Sequence, residues 1–210
     1  MRKQLLIIIG ICAIALSCTK KGNVQPTPAG FVNIGGALYP TVVIGTQTWT
    51  SVNYNGPGGI NFNNSTANDP VAGKLYTYTE AEAIAVPAGW HLPTRSDFAT
   101  LLLKMGTTDG SPIYSLPDTS SIKLMAKTTW LDNIGTNSSG FNAVATGIFS
   151  SGNFRNLNNM TNILTTSQFP NGGNMSLQIY EEYATQIFIG MNAVIPYATD
   201  RGSVRFVKNN

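Results

Sequence analysis

Cysteine is almost absent from this chain. Only Cys12 and Cys18 carry a thiol, and both lie ahead of the stretch that composition marks as folded. From Phe31 onward the protein therefore has no disulfide, no cysteine–metal site and no thiol nucleophile. Histidine is scarcer still. His91 is the sole one, which excludes a histidine zinc cluster and leaves any His-containing triad dependent on that residue. Its apolar and cyclic neighbours Trp90, Leu92 and Pro93 point instead to a structural role. Charge is sparse, at 11% of residues. From Phe31 onward nine Lys and Arg face ten Asp and Glu, so the folded part is near neutral although the whole chain carries +3. With no basic stripe to neutralise phosphates, nucleic acid is a poor partner. Paired carboxylates are missing too: Glu80 and Glu82 stand two apart, which on a helix points them apart, and Glu181-Glu182 offers no carboxylate pair on one face.

What is present begins at the N-terminus. Met1-Arg2-Lys3 is basic, Leu5 to Leu16 is apolar, and Ser17 and Cys18 follow. The pattern is that of a signal peptide, with an apolar run too short to span a bilayer as a mature helix. The segment Ala15-Leu16-Ser17-Cys18 resembles a bacterial lipobox, with Ala15 where Leu is commoner. The resemblance implies that Cys18 becomes the first mature residue and carries lipid, and that several acyl chains hold it stably in a membrane. Residues 1–17 then form the leader and residues 18–30 the lipidated terminus and a tether containing two prolines, in the run KKGNVQPTPAG; residues 31–210 form a single domain. No acidic cluster follows Cys18, which favours the periplasmic face of an outer membrane over the cell surface.

The domain reads as short strands, then helices, then more strands. Ala37-Leu38-Tyr39, Thr41 to Ile44 and Gln47 to Thr50 have strand composition, with Gly45-Thr46 as a turn. Asn53 to Pro70 is rich in Asn and Gly and reads as a long loop. Thr79 is placed to cap a short helix over Glu80 to Ile84. Thr94 caps a longer one, with Asp97 completing a capping box, and Phe98, Leu101, Leu102 and Met105 give it one apolar face before Gly106 ends it. Those residues, with Trp90 and Leu92, are expected in one buried cluster. Ile122 to Ala126 reads as another short helix. Later strands are expected at Gly140 to Val144, Gly147 to Phe149, Gly152 to Arg155, Ser176 to Tyr180, Ala184 to Ile189 and, closing the domain, Gly202 to Lys208. This order argues α+β and shows no internal repeat.

Several segments in order resemble the Fibrobacter succinogenes major paralogous domain family. They are Tyr39 to Trp49, Val52-Asn53-Tyr54, Leu75 to Tyr78, Glu80-Ala81, Val86-Pro87-Ala88-Gly89-Trp90-His91-Leu92-Pro93-Thr94, Gly140 to Ala143 and Ser203 to Lys208. That family is similar in turn to the C-type-lectin-like and formylglycine-generating-enzyme group. The likeness implies a C-type-lectin-like α+β fold: two main helices, irregular and mostly antiparallel sheets, and termini on adjoining strands. Relatives commonly have cysteine where this chain has Val86 and Phe206, so an apolar contact between these two residues is expected in place of a bridge. Leu164 stands where a tryptophan is usual.

The resemblance and the composition together imply a lipid-anchored envelope module that binds or adheres without catalysis. It would recognise a glycan or a partner protein through loops Tyr54 to Pro70 and Asn153 to Gly173, with Tyr54, Phe62 and Phe154 as possible ligand surface. Taken singly, each of the three reads more readily as a core or loop anchor. A structural subunit of an envelope or fimbrial assembly is the alternative, and an enzyme of unknown type a further one. Formylglycine generation is not expected, because the cysteines it needs are missing. The carboxylate and Trp-Asn-Asp motifs of a calcium-dependent sugar site are missing as well, so neither metal nor cofactor is expected.

Overall fold

The computed structural model describes residues 28–68, 72–106, 119–170, 173–183, 186–190 and 198–210. Residues 1–17, expected to be a leader, and Cys18 lie outside the described residues. The domain opens with an antiparallel meander of β1 (Pro28–Ile34), β2 (Ala37–Ile44) and β3 (Gln47–Thr50). Pro28 to Gly30, expected in the tether, belong to β1. They are drawn into the sheet because Val32 and Ile34 further along the strand are buried and set its register against Tyr39 and Ala37.

Strand β2 serves two cores. Tyr39 packs with Val32 and Ile34 in one cluster, whereas Val42 and Ile44 pack with Trp49 in another. Side chains alternate across a strand, so these two sets point to opposite faces of the sheet. Phe98, Leu101, Leu102 and Met105 fill the Trp49 cluster, as their spacing predicts. Leu92 and Trp90 do not join them. They belong to the Tyr39 cluster, because Pro93 and Thr94 turn the chain between the short strand and the helix.

The described helices include α1 (Tyr78–Glu82), α2 (Arg95–Met105) and α3 (Thr119–Leu124). Of these, α2 is the longest, at 11 residues. Its capping box forms in both directions: the Asp97 amide donates to Thr94 Oγ1 at 3.1 Å and the Thr94 amide donates to Asp97 Oδ2 at 2.8 Å. Gly106 closes it at φ 104°. The cap of α1 is Thr77, not Thr79. Glu80 lies three residues beyond Thr77 and returns its carboxylate to the Thr77 amide at 2.8 Å, a reciprocal pair that Thr79 lacks.

The remaining strands are β4 (Leu75–Tyr76), β5 (Trp90–His91), β6 (Thr146–Ser150), β7 (Asn153–Leu157), β8 (Met160–Gln168), β9 (Asn174–Tyr183), β10 (Gln186–Gly190), β11 (Gly202–Ser203) and β12 (Val207–Asn209). One sheet runs β1-β2-β3-β12-β5. The other runs β10-β9-β8-β11-β4, with β6 against β8 and β7 against β6. Pairings are antiparallel except β6 with β8 and β11 with β8. The architecture is thus mixed α+β, with a few helices and two sheets.

Three strand expectations change. Gly140 to Val144 makes only the single bridge of Ala143 to Met125. The closing strand is split: Gly202-Ser203 pairs in one sheet and Val207 to Asn209 in the other. Strand β8 fills part of the stretch read as a binding loop. Met160 to Thr165 is buried on both faces, so it lacks the alternation that marks a half-exposed strand. Its polar side chains are satisfied inside: Thr161 Oγ1 meets Thr146 Oγ1 at 3.0 Å, and Thr165 Oγ1 donates to the Met175 carbonyl at 3.2 Å. The C-terminal strand β12 lies between β3 and β5, with β1 at the far edge, so the two terminal strands do not adjoin.

Candidate binding surface

Two of the three aromatic candidates meet. The Phe62 and Phe154 ring centroids are 5.0 Å apart, and Phe149 packs edge-on to Phe154, also at 5.0 Å. Phe149 and Phe154 face each other across the β6–β7 hairpin, which places both rings on one side of it. Phe62 starts a short 3-10 turn (Phe62–Asn64) in which Asn63 adopts φ 53°, a conformation asparagine tolerates. Its ring occupies the space above Gly147, where an added Cβ would come within 2.6 Å of it, at a backbone φ of 65°. Gly147 is thus the residue that lets the loop dock on the hairpin.

Phe62 is 6% exposed, whereas Phe149 and Phe154 are half-buried. Asn63, Asn64, Asn153, Arg155 and Asn156 are exposed around them. The hairpin tip is braced from beneath. Buried Asp200 accepts from Ser150 Oγ and from the Ser151 amide, each at 3.0 Å. Arg201 exchanges backbone hydrogen bonds with Phe149, and its guanidinium meets Glu80 Oε2 at 2.5 Å. Burial raises the Glu80 pKa, but hydrogen bonds from Thr77 and the charge of Arg201 outweigh it and hold the carboxyl below its ordinary value.

Tyr54 sits elsewhere. It is 4% exposed and lies among Tyr39, Tyr76 and Phe206, with ring centroids 5.4–5.7 Å away. A stacking platform has to be open to its ligand, so Tyr54 is a core residue, and Phe62 a loop anchor. Phe154 is half-buried, between Phe62 and Phe149. Phe149 and Asp200 were not legible as members of this surface, because only the tertiary fold sets residues 149, 154 and 200 side by side.

Two polar centres complete the geometry. Arg205 is fully buried between Val204 and Phe206. Its Nε donates to Asn53 Oδ1 at 2.7 Å, Nη1 to the carbonyls of Thr50 and Phe141, and Nη2 to the carbonyl of Asn142 at 2.7 Å. Its Cζ lies 4.6 Å from the Phe141 ring centroid. Burial pushes its pKa down to about 9, which leaves it charged at neutral pH. The Ser-Val-Arg-Phe run carried the signal, an arginine flanked by apolar residues.

Asp97 is the second centre. Beyond its capping role it accepts from Gln47 Nε2 at 3.2 Å and Asn209 Nδ2 at 3.1 Å, and His91 Nε2 lies 3.1 Å from Oδ2. Burial raises its pKa, and the hydrogen bonds of Thr94, Asn209 and His91 overcome this to hold it below the ordinary value. His91 is thus engaged with a carboxylate that already caps a helix. Val86 and Phe206 belong with the same apolar cluster, Phe206 buried and Val86 half-buried at its margin. No group of three or more His, Cys, Asp or Glu side chains converges as a metal site among the described residues.

A two-sheet α+β domain, with its last segment locked by a buried arginine beneath the loop that follows β3, is the class this geometry defines. The Fibrobacter succinogenes major domain model matches residues 42–208, and the chain belongs to that family. No curated protein and no solved structure matches it.

Proposed function

We propose that this chain is a lipid-anchored envelope binding module without catalytic activity, held through Cys18 at the periplasmic face of an outer membrane. Its ligand contact is centred on Phe154. The observation that carries this reading is the half-buried Phe149–Phe154 pair, rimmed by the exposed amides of Asn63, Asn64 and Asn153 and braced by Asp200. Rings of this kind stack on apolar sugar faces or on a partner's side chains, and amides bond hydroxyls or backbone. The C-type-lectin-like fold group is the relation we infer for the domain, on the strength of the Gly-Trp-His-Leu-Pro-Thr run before α2 and the closing Ser-Val-Arg segment.

The test is retention of envelope glycans and proteins by the membrane-extracted protein. Wild type should retain a reproducible glycan or one stoichiometric partner, and Phe154→Ala should weaken retention by about tenfold, as truncation of an anchoring aromatic does. Thermal unfolding of the variant should stay close to wild type. Equal retention by the variant, or none by either protein, would reject Phe154 as the contact. Intact-mass analysis of the same material should show lipid at Cys18, and a soluble product starting elsewhere would reject the anchor.

A further inference from the structure

Toward its turn, one face of the first hairpin carries exposed apolar side chains. Phe31 on β1 is 70% exposed and Leu38 on β2 is 66% exposed. In the antiparallel register Phe31 faces half-buried Pro40 and Asn33 faces Leu38, so the three apolar side chains share one face. Val32, Ile34 and Tyr39 point the other way, into the core. Strand β1 pairs only with β2 among the described residues and forms an edge of its sheet. Edge strands are ordinarily protected by charge. Here residues 22–68 contain no charged side chain at all.

Position along the chain says what meets this face. Pro28, the first residue of β1, follows Cys18 by ten residues. A fully extended chain covers about 3.3–3.6 Å per residue, so ten residues reach no more than about 36 Å. The only charges in between are Lys20 and Lys21, beside the anchor. Resting on the lipid anchor at Cys18, we infer that the Phe31–Leu38 face docks on the interface of the membrane that carries the anchor. The two lysines would meet anionic headgroups, and the uncharged hairpin would enter the interface with no ion to desolvate. Val43 is also exposed on β2, but alternation turns it to the opposite face, so docking leaves it in water. The module is thereby held edge-on to the membrane rather than swinging freely on its tether.

The test uses full-length, processed protein whose Cys18 lipid is confirmed by intact mass. The domain contains no thiol, so Phe31→Cys, Leu38→Cys and Val43→Cys each offer one site for an environment-sensitive fluorophore. The proteins are reconstituted in vesicles of phosphatidylethanolamine and phosphatidylglycerol, with or without bromine-labelled acyl chains. Labels at 31 and 38 should shift to shorter wavelength and be quenched by brominated lipid, and the label at 43 should do neither. Water-like emission at all three sites, with lipid present at Cys18, overturns docking while the anchor stands. Concentration-dependent self-quenching at 31 and 38 without lipid quenching assigns the face to a second copy and overturns it as well. Absence of lipid at Cys18 removes both the anchor and the docking that rests on it.

Discussion

At the scale of single residues, Arg205 shows how a charge is kept inside a domain without a carboxylate. Four acceptors from Thr50, Asn53, Phe141 and Asn142 surround it, so the cation binds together segments far apart in sequence. Arg205→Met removes the donors and leaves those acceptors buried. We expect a loss of about 3–5 kcal/mol in denaturant unfolding; a loss below about 1 kcal/mol would mean that water replaces the guanidinium. Asp97 gives a pH signature. Its folded pKa is depressed, so its contribution is present above the unfolded value and fades as pH falls through the folded one. Asp97→Asn should therefore destabilise the protein near neutral pH, by roughly 1–3 kcal/mol as expected for a charged hydrogen-bond acceptor. The gap between variant and wild type should narrow below about pH 4. A gap that is constant down to pH 2 would exclude the charge as its source.

At the scale of elements, helix α2 was the most legible part. Its cap, its apolar face and its terminating glycine are all local features, and each appears where spacing placed it. Its face meets Trp49, whose ring stacks on Phe98 with centroids 5.2 Å apart. Phe98→Ala should cost about 3–5 kcal/mol, measured as a lowered denaturant midpoint at unchanged slope. Strand β8 was the least legible. Its Thr, Asn and Ser side chains resemble loop composition, and what makes them strand residues is the neighbours on both sides that take up their hydrogen bonds. Thr161→Val keeps the shape but removes one hydroxyl from the chain linking Thr161, Thr146 and Ser203.

At the scale of the whole molecule, the two apolar clusters are joined through β2 and through the closing segment, which places Phe206 in one and Val207 in the other. They should therefore unfold together. Leu101→Ala in one cluster and Leu92→Ala in the other should each lower a single shared transition seen by circular dichroism and by tryptophan fluorescence. Two separated steps would show that the clusters are independent units. The same joining explains why Trp90 and Leu92 could not be assigned from spacing. Both adjoin α2 in sequence, yet the turn at Pro93 and Thr94 delivers them to the other face of the sheet.

The sequence by itself determined what depends on neighbours a few residues apart. The β2–β3 hairpin, the α2 capping box and the exclusion of thiol and histidine-cluster chemistry are of this kind, because turn geometry, capping and residue inventory are local or compositional. The ordered segments from Tyr39 to Lys208 carried the family as well. Tertiary structure alone decided the rest. It buried Tyr54, left Phe154 half-buried, brought Asp200 under the hairpin and split the closing strand between two sheets. Each of these turns on contacts across dozens of residues, where the same aromatic or aspartate serves as anchor or surface according to what packs against it.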